Sequence, residues 1–307
     1  MTIGLPRALE YHRSQVFWTS FLGHLGLCTT ISPPTNRHIL GRGAALSVDE
    51  SCLSYKIFLG HVDYLASRCD KVLIPRLETL TDSDSVCVKF FALSDTVKAI
   101  IGSDKVIDYN INHALGLSER KAYFELGYKL GYKRSLIASA ISYAQSKDAT
   151  NRTHLRQIAL SKCLITSKTK VLIVGHPYNI YDRMVGIPII DALSKLDITD
   201  ILACELGSNP ALSKKLSDTV YWSQSKELLA AIAEVRPRID GIVLVTSFPC
   251  GPDALVNELI LLKIRNLPIL NLVVDEHTSL TGLQTRIESF ADMLQGLKEY
   301  NAAEVTA

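Results

Sequence analysis

The sequence lacks the short motifs of several common nucleotide- and metal-binding proteins. It contains no Cys-x-x-Cys pair, so zinc ribbons and thioredoxin-like redox sites find no support. It has no Gly-x-x-x-x-Gly-Lys-Ser/Thr loop, and Gly41-Arg42-Gly43 carries only part of a dinucleotide-binding fingerprint. We therefore expect that the chain neither hydrolyses ATP nor binds NAD, and that any dependence on ATP comes from a partner protein.

A strong charge excess and a long apolar run are also missing. The 33 basic and 31 acidic side chains leave a formal charge of +2, which gives no electrostatic reason to expect nucleic acid or membrane binding. The most apolar stretch, 255–274, is interrupted by charges and a proline, whereas a membrane span needs about 20 mostly apolar residues. We predict a buried helix and then a buried strand there. With no leader segment at the N-terminus, we expect a soluble, cytoplasmic protein.

The seven cysteines do not suggest a disulfide framework. Their number is odd, and the chain of 307 residues is large and expected in a reducing compartment. Metal binding and plain burial of thiols remain as the two interpretations.

Short runs rich in Val and Ile alternate with longer helical stretches along the chain. This alternation is typical of an α/β fold, in which helices cover a parallel sheet. Because the runs are almost continuously apolar, we expect the strands to be buried on both faces. The predicted strands are 2–5, 27–31, 71–74, 105–108, 170–174, 199–203, 241–246 and 269–274.

The two halves of the chain resemble each other faintly at an offset of about 171 positions, which aligns Gly4 with Gly175. Between them, residues 119–168 are polar and carry apolar side chains at helical spacing, which predicts a pair of helices crossing from one domain to the other. We predict an N-terminal α/β domain, 1–165, with the linking helices, and a C-terminal α/β domain, 166–307.

Three cysteines are predicted to lie where parallel sheets bind ligands, beyond the carboxyl ends of the strands. Cys87 and Cys250 follow the third strand of each half, and Cys52 lies where a loop opens a helix. Thiolates are the usual ligands of iron–sulfur clusters, and helix N-termini would stabilise the negative charge of such a cluster. Spacing alone leaves burial open as the alternative, because cysteine is among the most buried residue types.

Four further side chains are predicted at loops facing the same cleft. Glu50, His176, Glu276 and His277 suit general acid–base work on a substrate, or ligation of an iron atom. The alternative for Glu276 and His277 is structural: they cap the final helix or pair with Arg286.

The remaining chemistry-bearing residues have simpler interpretations. His61 lies on an apolar helical face and is expected in the core, whereas Arg7 and Arg76 at strand ends bind an anionic group or pair with acidic side chains. Cys204 ends a strand and is either a buried thiol or an auxiliary ligand. The cysteines expected in the core are Cys28, Cys69 and Cys163.

Motifs along nearly the whole chain resemble one protein family. They are Gly4-x-Pro6-Arg7-Ala8-Leu9-x-Tyr11, Phe17-Trp18, Ser32-Pro33-Pro34-Thr35-Asn36, Asp49-Glu50-x-Cys52, Gly60-His61, Cys87-x-Lys89-Phe90, Gly175-His176-Pro177-Tyr178-Asn179, Cys250-Gly251-Pro252-Asp253, Asp275-Glu276-His277-Thr278 and Thr285-Arg286-x-Glu288-x-Phe290. On these motifs the chain resembles the acyl-CoA dehydratase activase-related family. That family is similar to the catalytic subunits of 2-hydroxyacyl-CoA dehydratases, to benzoyl-CoA-type reductases and to double-cubane cluster proteins.

This resemblance implies two Rossmann-like (flavodoxin-like) domains with an oxygen-sensitive [4Fe–4S] cluster in the cleft between them. The cluster ligands it implies are Cys52, Cys87 and Cys250, with one iron left open. It also implies a partner, an ATP-hydrolysing iron–sulfur activator, and it makes a homodimer plausible. Family members often have proline after the first two cysteines, where this chain has Leu53 and Val88, so the resemblance carries over the ligands but not the local loop geometry.

The function expected from the resemblance is a reductase-type or dehydratase-like component. It would accept low-potential electrons from the activator and reduce or dehydrate a small molecule at the open iron. The alternative is a non-catalytic cluster carrier or an assembly scaffold for another metalloenzyme. A third interpretation is a metal-free two-domain protein that binds a small molecule. The substrate does not carry over from the resemblance.

Overall fold

The computed structural model describes residues 1–81 and 83–306, of which 301–306 are described as backbone only. The chain forms two compact units. The first unit comprises Met1–Thr153 with Tyr221–Gln224, and the second comprises His154–Val220 and the chain from Ser225 onward. The predicted domain bounds of 1–165 and 166–307 stay a prediction, and residue 307 lies outside the described residues.

The first unit is a four-stranded parallel sheet with helices. Its strands lie in the order β2-β1-β3-β4. Its elements in chain order are β1 (Thr2–Leu5), α1 (Tyr11–His24), β2 (Cys28–Ile31), α2 (Arg37–Ala45), α3 (Leu53–Ala66), β3 (Lys71–Thr79), α4 (Val88–Ile101), β4 (Val106–Asn112), α5 (Glu119–Lys129) and the larger part of α6 (Arg134–Cys163).

The second unit repeats this architecture. Its parallel strands lie in the order β6-β5-β7-β8, which is again second, first, third and fourth along the chain. Its elements are the end of α6, β5 (Lys170–Val174), α7 (Pro177–Ile180), α8 (Ile187–Lys195), β6 (Thr199–Leu202), the larger part of α9 (Ser223–Val235), β7 (Gly241–Ser247), α10 (Gly251–Lys263), β8 (Ile269–Val274) and α11 (Leu280–Thr306).

The predicted α/β class with two parallel sheets is confirmed. Both strand orders match the first four strands of the flavodoxin-like order, which is consistent with two Rossmann-like domains. The predicted helices within 119–168 are α5 and α6, and the apolar stretch 255–274 holds most of α10 and all of β8. The prediction that this helix and strand are buried is wrong, because α10 buries one face only and β8 is an edge strand, so that Leu255 and Val273 are exposed. Among the described residues, no helix is long and apolar enough to cross a membrane.

All eight predicted strands are present, but β3 and β4 continue beyond their predicted ends. The sequence predicts that β3 ends before Pro75, whereas it runs to Thr79 and stays paired with β4 as far as Asn112. The pairing of β1 with β3 stops at Val72, so Pro75 lies beyond it. A proline without an N–H is tolerated where one side of a strand has no partner.

Burial on both faces is confined to the inner strands. All seven residues of β7 are buried, whereas in the edge strand β2 none is. The expectation that Cys28 lies in the core is therefore wrong, because it is the exposed first residue of β2. Cys69 and Cys163 are buried as predicted.

Helices α2 and α3 pack backbone against backbone through two glycines. A Cβ atom at Gly43 would lie 1.7 Å from the Lys56 carbonyl oxygen, and one at Gly60 would lie 1.9 Å from that of Ile39. Any side chain at either position would collide with main-chain atoms that cannot move aside. This close packing holds α3, which begins immediately after Cys52, against α2.

Candidate functional site

The three predicted ligand cysteines occupy the same position relative to a helix. Cys52 immediately precedes α3, Cys87 precedes α4 and Cys250 precedes α10, each with an extended ψ between 108° and 149°. All three are half-exposed, and none of the seven cysteines forms a disulfide. A thiolate at this position meets unsatisfied N–H groups and the positive end of the helix dipole. The shared position therefore favours a bound negative charge.

The topology places these helix starts at the carboxyl edges of the sheets. Helix α4 follows β3 and α10 follows β7, so Cys87 and Cys250 lie just beyond those strands. Helix α3 ends just before β3 begins, at the amino edge of the sheet. The first turn of α3, at the other end of the helix, therefore lies at the carboxyl edge. Within the first unit, Lys89 Nζ lies 4.7 Å from the centre of the Tyr55 ring, which brings the first turns of α3 and α4 together.

The described residues contain no group of three or more His, Cys, Asp or Glu side chains placed to hold a metal ion. Cys52 and Cys87 belong to the first unit and Cys250 to the second. The set of three ligands thus stays a prediction. The chemistry of the donors nevertheless fits an iron–sulfur cluster, because three accessible thiols each lie at the positive end of a helix.

The loop before Cys87 is held by the Tyr221–Gln224 segment, which belongs to the first unit. The Ser85 amide donates a hydrogen bond to the Tyr221 carbonyl at 3.0 Å, and the Ser223 amide donates to the Ser85 carbonyl at 3.1 Å. Gln224 Nε2 donates to a Glu10 carboxylate oxygen at 3.3 Å. A segment distant in the sequence therefore fixes the approach to Cys87.

His176 and Asp253 form a buried pair in the second unit. His176 Nε2 lies 2.8 Å from Asp253 Oδ1, and the two residues are only 5% and 7% exposed. His176 immediately precedes α7, whereas Asp253 lies in the first turn of α10, three residues after Cys250. The His176 ring also stacks on Tyr178, with ring centres 5.0 Å apart.

A second hydrogen bond joins the same two loops. Ser247 Oγ donates to Asn179 Oδ1 at 2.7 Å, and both residues are buried. Gly175 permits the close approach, since a Cβ atom there would lie 2.8 Å from the Val245 carbonyl oxygen. In the order β6-β5-β7-β8, the gap between β5 and β7 is the point where the strand order reverses, and ligands bind at such points in open α/β sheets.

The other predicted acid–base residues are more exposed. Glu50 lies exposed in the loop before Cys52, and His277 is exposed after β8. Asp275 organises the turn around His277: its Oδ1 accepts hydrogen bonds from the His277 amide and the Thr278 hydroxyl, both at 2.8 Å. These bonds, the Thr278 hydroxyl first, lower the pKa of Asp275.

The structural interpretation of Glu276 and His277 stays a prediction, and the residue seen to cap the final helix is a different one. Ser279 caps α11, because its Oγ accepts a hydrogen bond from the Gly282 amide at 3.0 Å. Arg286 donates to the carbonyl oxygen of Asn271. The proposed catalytic roles of Glu276 and His277 therefore remain open.

His61 is a core histidine, as the sequence predicts. It is 0% exposed, and its Nε2 lies 3.0 Å from Thr35 Oγ1. Burial, reinforced by the nearby His12 and Arg7, lowers the pKa of His61 from 6.5 to about 3.

The two arginines at strand ends have different partners. Arg7 donates through Nε to the Ser32 carbonyl oxygen at 3.0 Å. Arg76 pairs with the Asp95 carboxylate, which agrees with the structural interpretation for this residue.

A cluster around Cys204 lies beyond β5 and β6, and the sequence does not single out its other two members, Tyr181 and Glu205. Tyr181 donates its hydroxyl hydrogen bond to Glu205 Oε1 at 2.7 Å, and it also hydrogen-bonds the half-buried Cys204. Burial raises the pKa of both Tyr181 and Glu205. The sequence also fails to identify Asp253 as a partner of His176. The local signal for Asp253 is that it is an acidic residue in the first turn of α10, the helix that begins immediately after the predicted ligand Cys250.

A family model described as the CoA enzyme activase uncharacterised domain matches residues 2–227. The matched region contains Cys52, Cys87 and His176 and ends before Cys250. Comparison with curated proteins gives no match. Since the family model spans well over half of the 307 residues, the chain belongs to the family of the CoA enzyme activase uncharacterised domain.

Proposed function

We propose that this chain is an iron–sulfur component that holds one [4Fe–4S] cluster on Cys52, Cys87 and Cys250. It receives low-potential electrons from an ATP-hydrolysing activator and reduces or dehydrates a small molecule at the open iron. The observation that supports this proposal is the common placement of the three thiols, each immediately before a helix at the carboxyl edge of a parallel sheet. Membership of an activase-related family agrees with it.

The protein residues have separable tasks in this proposal. The thiolates of the three cysteines bind iron, and the first N–H groups of α3, α4 and α10 stabilise the negative charge beside them. When bound, the cluster supplies one-electron chemistry and a Lewis-acidic iron for an oxygen of the substrate. Three protein thiols leave one of four irons without a protein ligand, which distinguishes an open site from a fully ligated one.

Among the four candidate acid–base residues, His176 has the most developed surroundings. It is buried, it contacts a carboxylate, and it belongs to the loop that hydrogen bonds join to the loop of Cys250. In the proposal His176 holds or moves a proton, while Glu50, Glu276 and His277 remain secondary candidates for the same task or for ligation of the open iron.

The proposed partner is an iron–sulfur protein that hydrolyses ATP. The sequence has no phosphate-binding loop of its own, so a second protein would have to supply the energy of ATP hydrolysis. The family description, which names an activase of CoA enzymes, supports an enzyme partner of the activation kind.

The experiment is anaerobic purification followed by iron and acid-labile sulfide analysis of single cysteine variants. Wild-type protein is expected to be coloured and to contain four irons per chain, as a [4Fe–4S] cluster requires. Cys52→Ser, Cys87→Ser and Cys250→Ser should each lose most of that iron. Cys163→Ser is the matched control, because Cys163 is a buried thiol whose Sγ contacts the Ala159 carbonyl oxygen, and it should retain the iron. A colourless wild-type protein would contradict the proposal.

A second measurement separates a catalyst from a carrier. The reduced protein is examined by electron paramagnetic resonance with and without a 2-hydroxyacyl-CoA thioester. An open iron that binds the thioester should change the signal, whereas a carrier whose irons are all ligated should give the same spectrum in both samples.

A further inference from the structure

The His176–Asp253 contact determines which nitrogen of the imidazole carries hydrogen. A carboxylate only accepts hydrogen bonds, and Asp253 Oδ1 lies 2.8 Å from Nε2. If Asp253 is ionised, the hydrogen of this contact belongs to Nε2. In a neutral imidazole the other nitrogen, Nδ1, is then an acceptor.

Nδ1 of His176 is buried and has no hydrogen-bond partner among the residues that the structure describes. Buried polar atoms normally have partners, so an exception calls for an explanation such as a functional role. The atom lies in the loop that follows β5, beside the gap between β5 and β7. A ligand in that gap that carries a hydroxyl or N–H group would satisfy it.

We propose that Asp253 is a positioning residue that holds His176 as the Nε2–H tautomer, so that Nδ1 accepts a hydrogen bond from a hydroxyl or N–H group of a ligand. The inference deepens the proposed function, because it assigns His176 the accepting role in proton transfer. It identifies the ligand only as a hydrogen-bond donor, and it gives Asp253 no contact with that ligand.

The structure allows the effect of Asp253 on the tautomer of His176 to be separated from its effect in holding the two loops together. The hydrogen bond between Ser247 and Asn179 also joins the two loops and does not involve Asp253. Replacing Asp253 by Asn keeps the size of the side chain and leaves that second bond in place. The amide NH₂ group of Asn can donate to Nε2, which a carboxylate cannot do, so the substitution makes available the Nδ1–H tautomer that the carboxylate excludes.

The test is a long-range ¹H–¹⁵N correlation spectrum of the full, iron-free chain labelled with ¹⁵N-histidine. The chain has eight histidines, and loss of one signal in His176→Gln assigns the ring. Wild type should show His176 as Nε2–H with an unprotonated Nδ1, and Asp253→Asn should show signals of the Nδ1–H form. Asp292→Asn is the matched control, an exposed aspartate on α11 of the same unit, and should leave the His176 signals unchanged.

Two outcomes would overturn the inference: an Nδ1–H ring in the wild type, or an Asp253→Asn spectrum identical to that of wild type. If Asp253→Asn does not fold, the wild-type tautomer still decides. The spectrum does not depend on iron, so its failure is distinguishable from failure of the proposed function. A protein that binds no iron but shows Nε2–H would contradict only the cluster.

Discussion

The buried side chain of His61 makes the free energy of unfolding of the first unit depend on pH. Its pKa is 6.5 in the unfolded chain and about 3 in the folded protein, so between these values only the unfolded chain gains a proton. The stability associated with a neutral His61 is complete above pH 6.5 and is lost as the pH falls towards 3. One such histidine lowers the free energy of unfolding by about 2 kcal/mol when the pH falls from 7 to 5.

We expect His61→Gln to remove the part of the pH dependence that His61 contributes, because glutamine does not titrate. His12, whose pKa burial lowers from 6.5 to about 4, leaves a similar contribution in the variant. The measurement is urea unfolding at pH 7 and pH 5, followed by tryptophan fluorescence; both tryptophans, Trp18 and Trp222, belong to the first unit. His38→Gln is the control, since His38 is exposed on α2, and it should keep the wild-type slope. Equal slopes for wild type and His61→Gln would show that the histidine is protonated in the folded state.

At the same scale, single residues were predictable when their own helix or strand decides their surroundings. The apolar neighbours of His61 on α3 predict its burial, and the structure agrees. Cys28 fails because its exposure depends on β2 being an edge strand, a property of the sheet order that local sequence does not contain. The His176–Asp253 pair joins residues 77 positions apart, so no local pattern indicates it.

At the scale of elements, the contact between α2 and α3 depends on the absence of side chains. We expect Gly60→Ala to destabilise the first unit by about 3 kcal/mol, because its Cβ atom would meet the Ile39 carbonyl oxygen at 1.9 Å. Gly41→Ala on the same α2 is the control: nothing lies within 4 Å of its Cβ position. Alanine there should be neutral or stabilise the helix by up to about 1 kcal/mol.

Urea unfolding of the two alanine variants, again by tryptophan fluorescence, checks this pair. If Gly60→Ala were as stable as wild type, the close approach of α2 to α3 would be incorrect. A loss of stability in both variants would instead point to a general intolerance of substitution in this region.

Asp108 joins β4 to two helices. Its carboxylate accepts hydrogen bonds from Ser94 at 2.6 Å and Lys98 at 2.5 Å on α4, and from Lys129 at 2.9 Å on α5. Burial alone would raise the pKa of Asp108, but these bonds outweigh it and hold the pKa well below its usual value of 3.8. The carboxylate is partly solvated, so we expect Asp108→Asn to cost only about 1–2 kcal/mol.

The stabilising contribution of Asp108 has a defined pH window. Because its folded pKa is depressed, the contribution is complete well above pH 3.8 and is lost as the pH falls below that value. The difference in unfolding free energy between wild type and Asp108→Asn should therefore shrink from pH 7 to pH 3. A difference that is unchanged at pH 3 would mean that the carboxylate charge is not responsible.

The strands could be predicted from the sequence because each has a short apolar run. Three of the eight predicted ranges, 2–5, 170–174 and 269–274, coincide with the strands of the structure. The extensions of β3 and β4 carry polar residues such as Arg76 and Asn110, which are paired with each other through the backbone, and such pairing has little regard to side-chain polarity. The family motifs also include structural features: Asn36, for example, caps α2 by accepting hydrogen bonds from two backbone amides.

For the whole molecule, both sheets follow the same strand order, in agreement with the faint internal similarity of the sequence. The sequence could not determine which thiols meet. The described residues provide no metal-binding group of three, and Cys250 belongs to a different unit from Cys52 and Cys87. A cluster on these three thiols would thus bind residues of both units at once, and its removal should let α6 open locally more often where the chain passes from one unit to the other.

The effect of the proposed cluster on the chain can be measured at the segment that passes from one unit to the other. The boundary between the two units falls after Thr153, within α6. Arg152, the residue before Thr153, is exposed, and trypsin cleaves after arginine. Trypsin can cut inside a helix only when the helix opens locally, and metal binding that couples to folding opposes such opening. We expect iron-loaded wild type to release the fragment 1–152 more slowly than the same protein after chelation, as followed by mass spectrometry.

Two variants assign that protection to the proposed ligands. Arg152→Gln should abolish the fragment 1–152 and so identify the cut. Cys250→Ser retains the two thiols of the first unit and loses the one from the second, so chelation should no longer change its cleavage rate. If iron protected Cys250→Ser as well as wild type, the metal would bind without Cys250, and a cluster shared by the two units would be excluded.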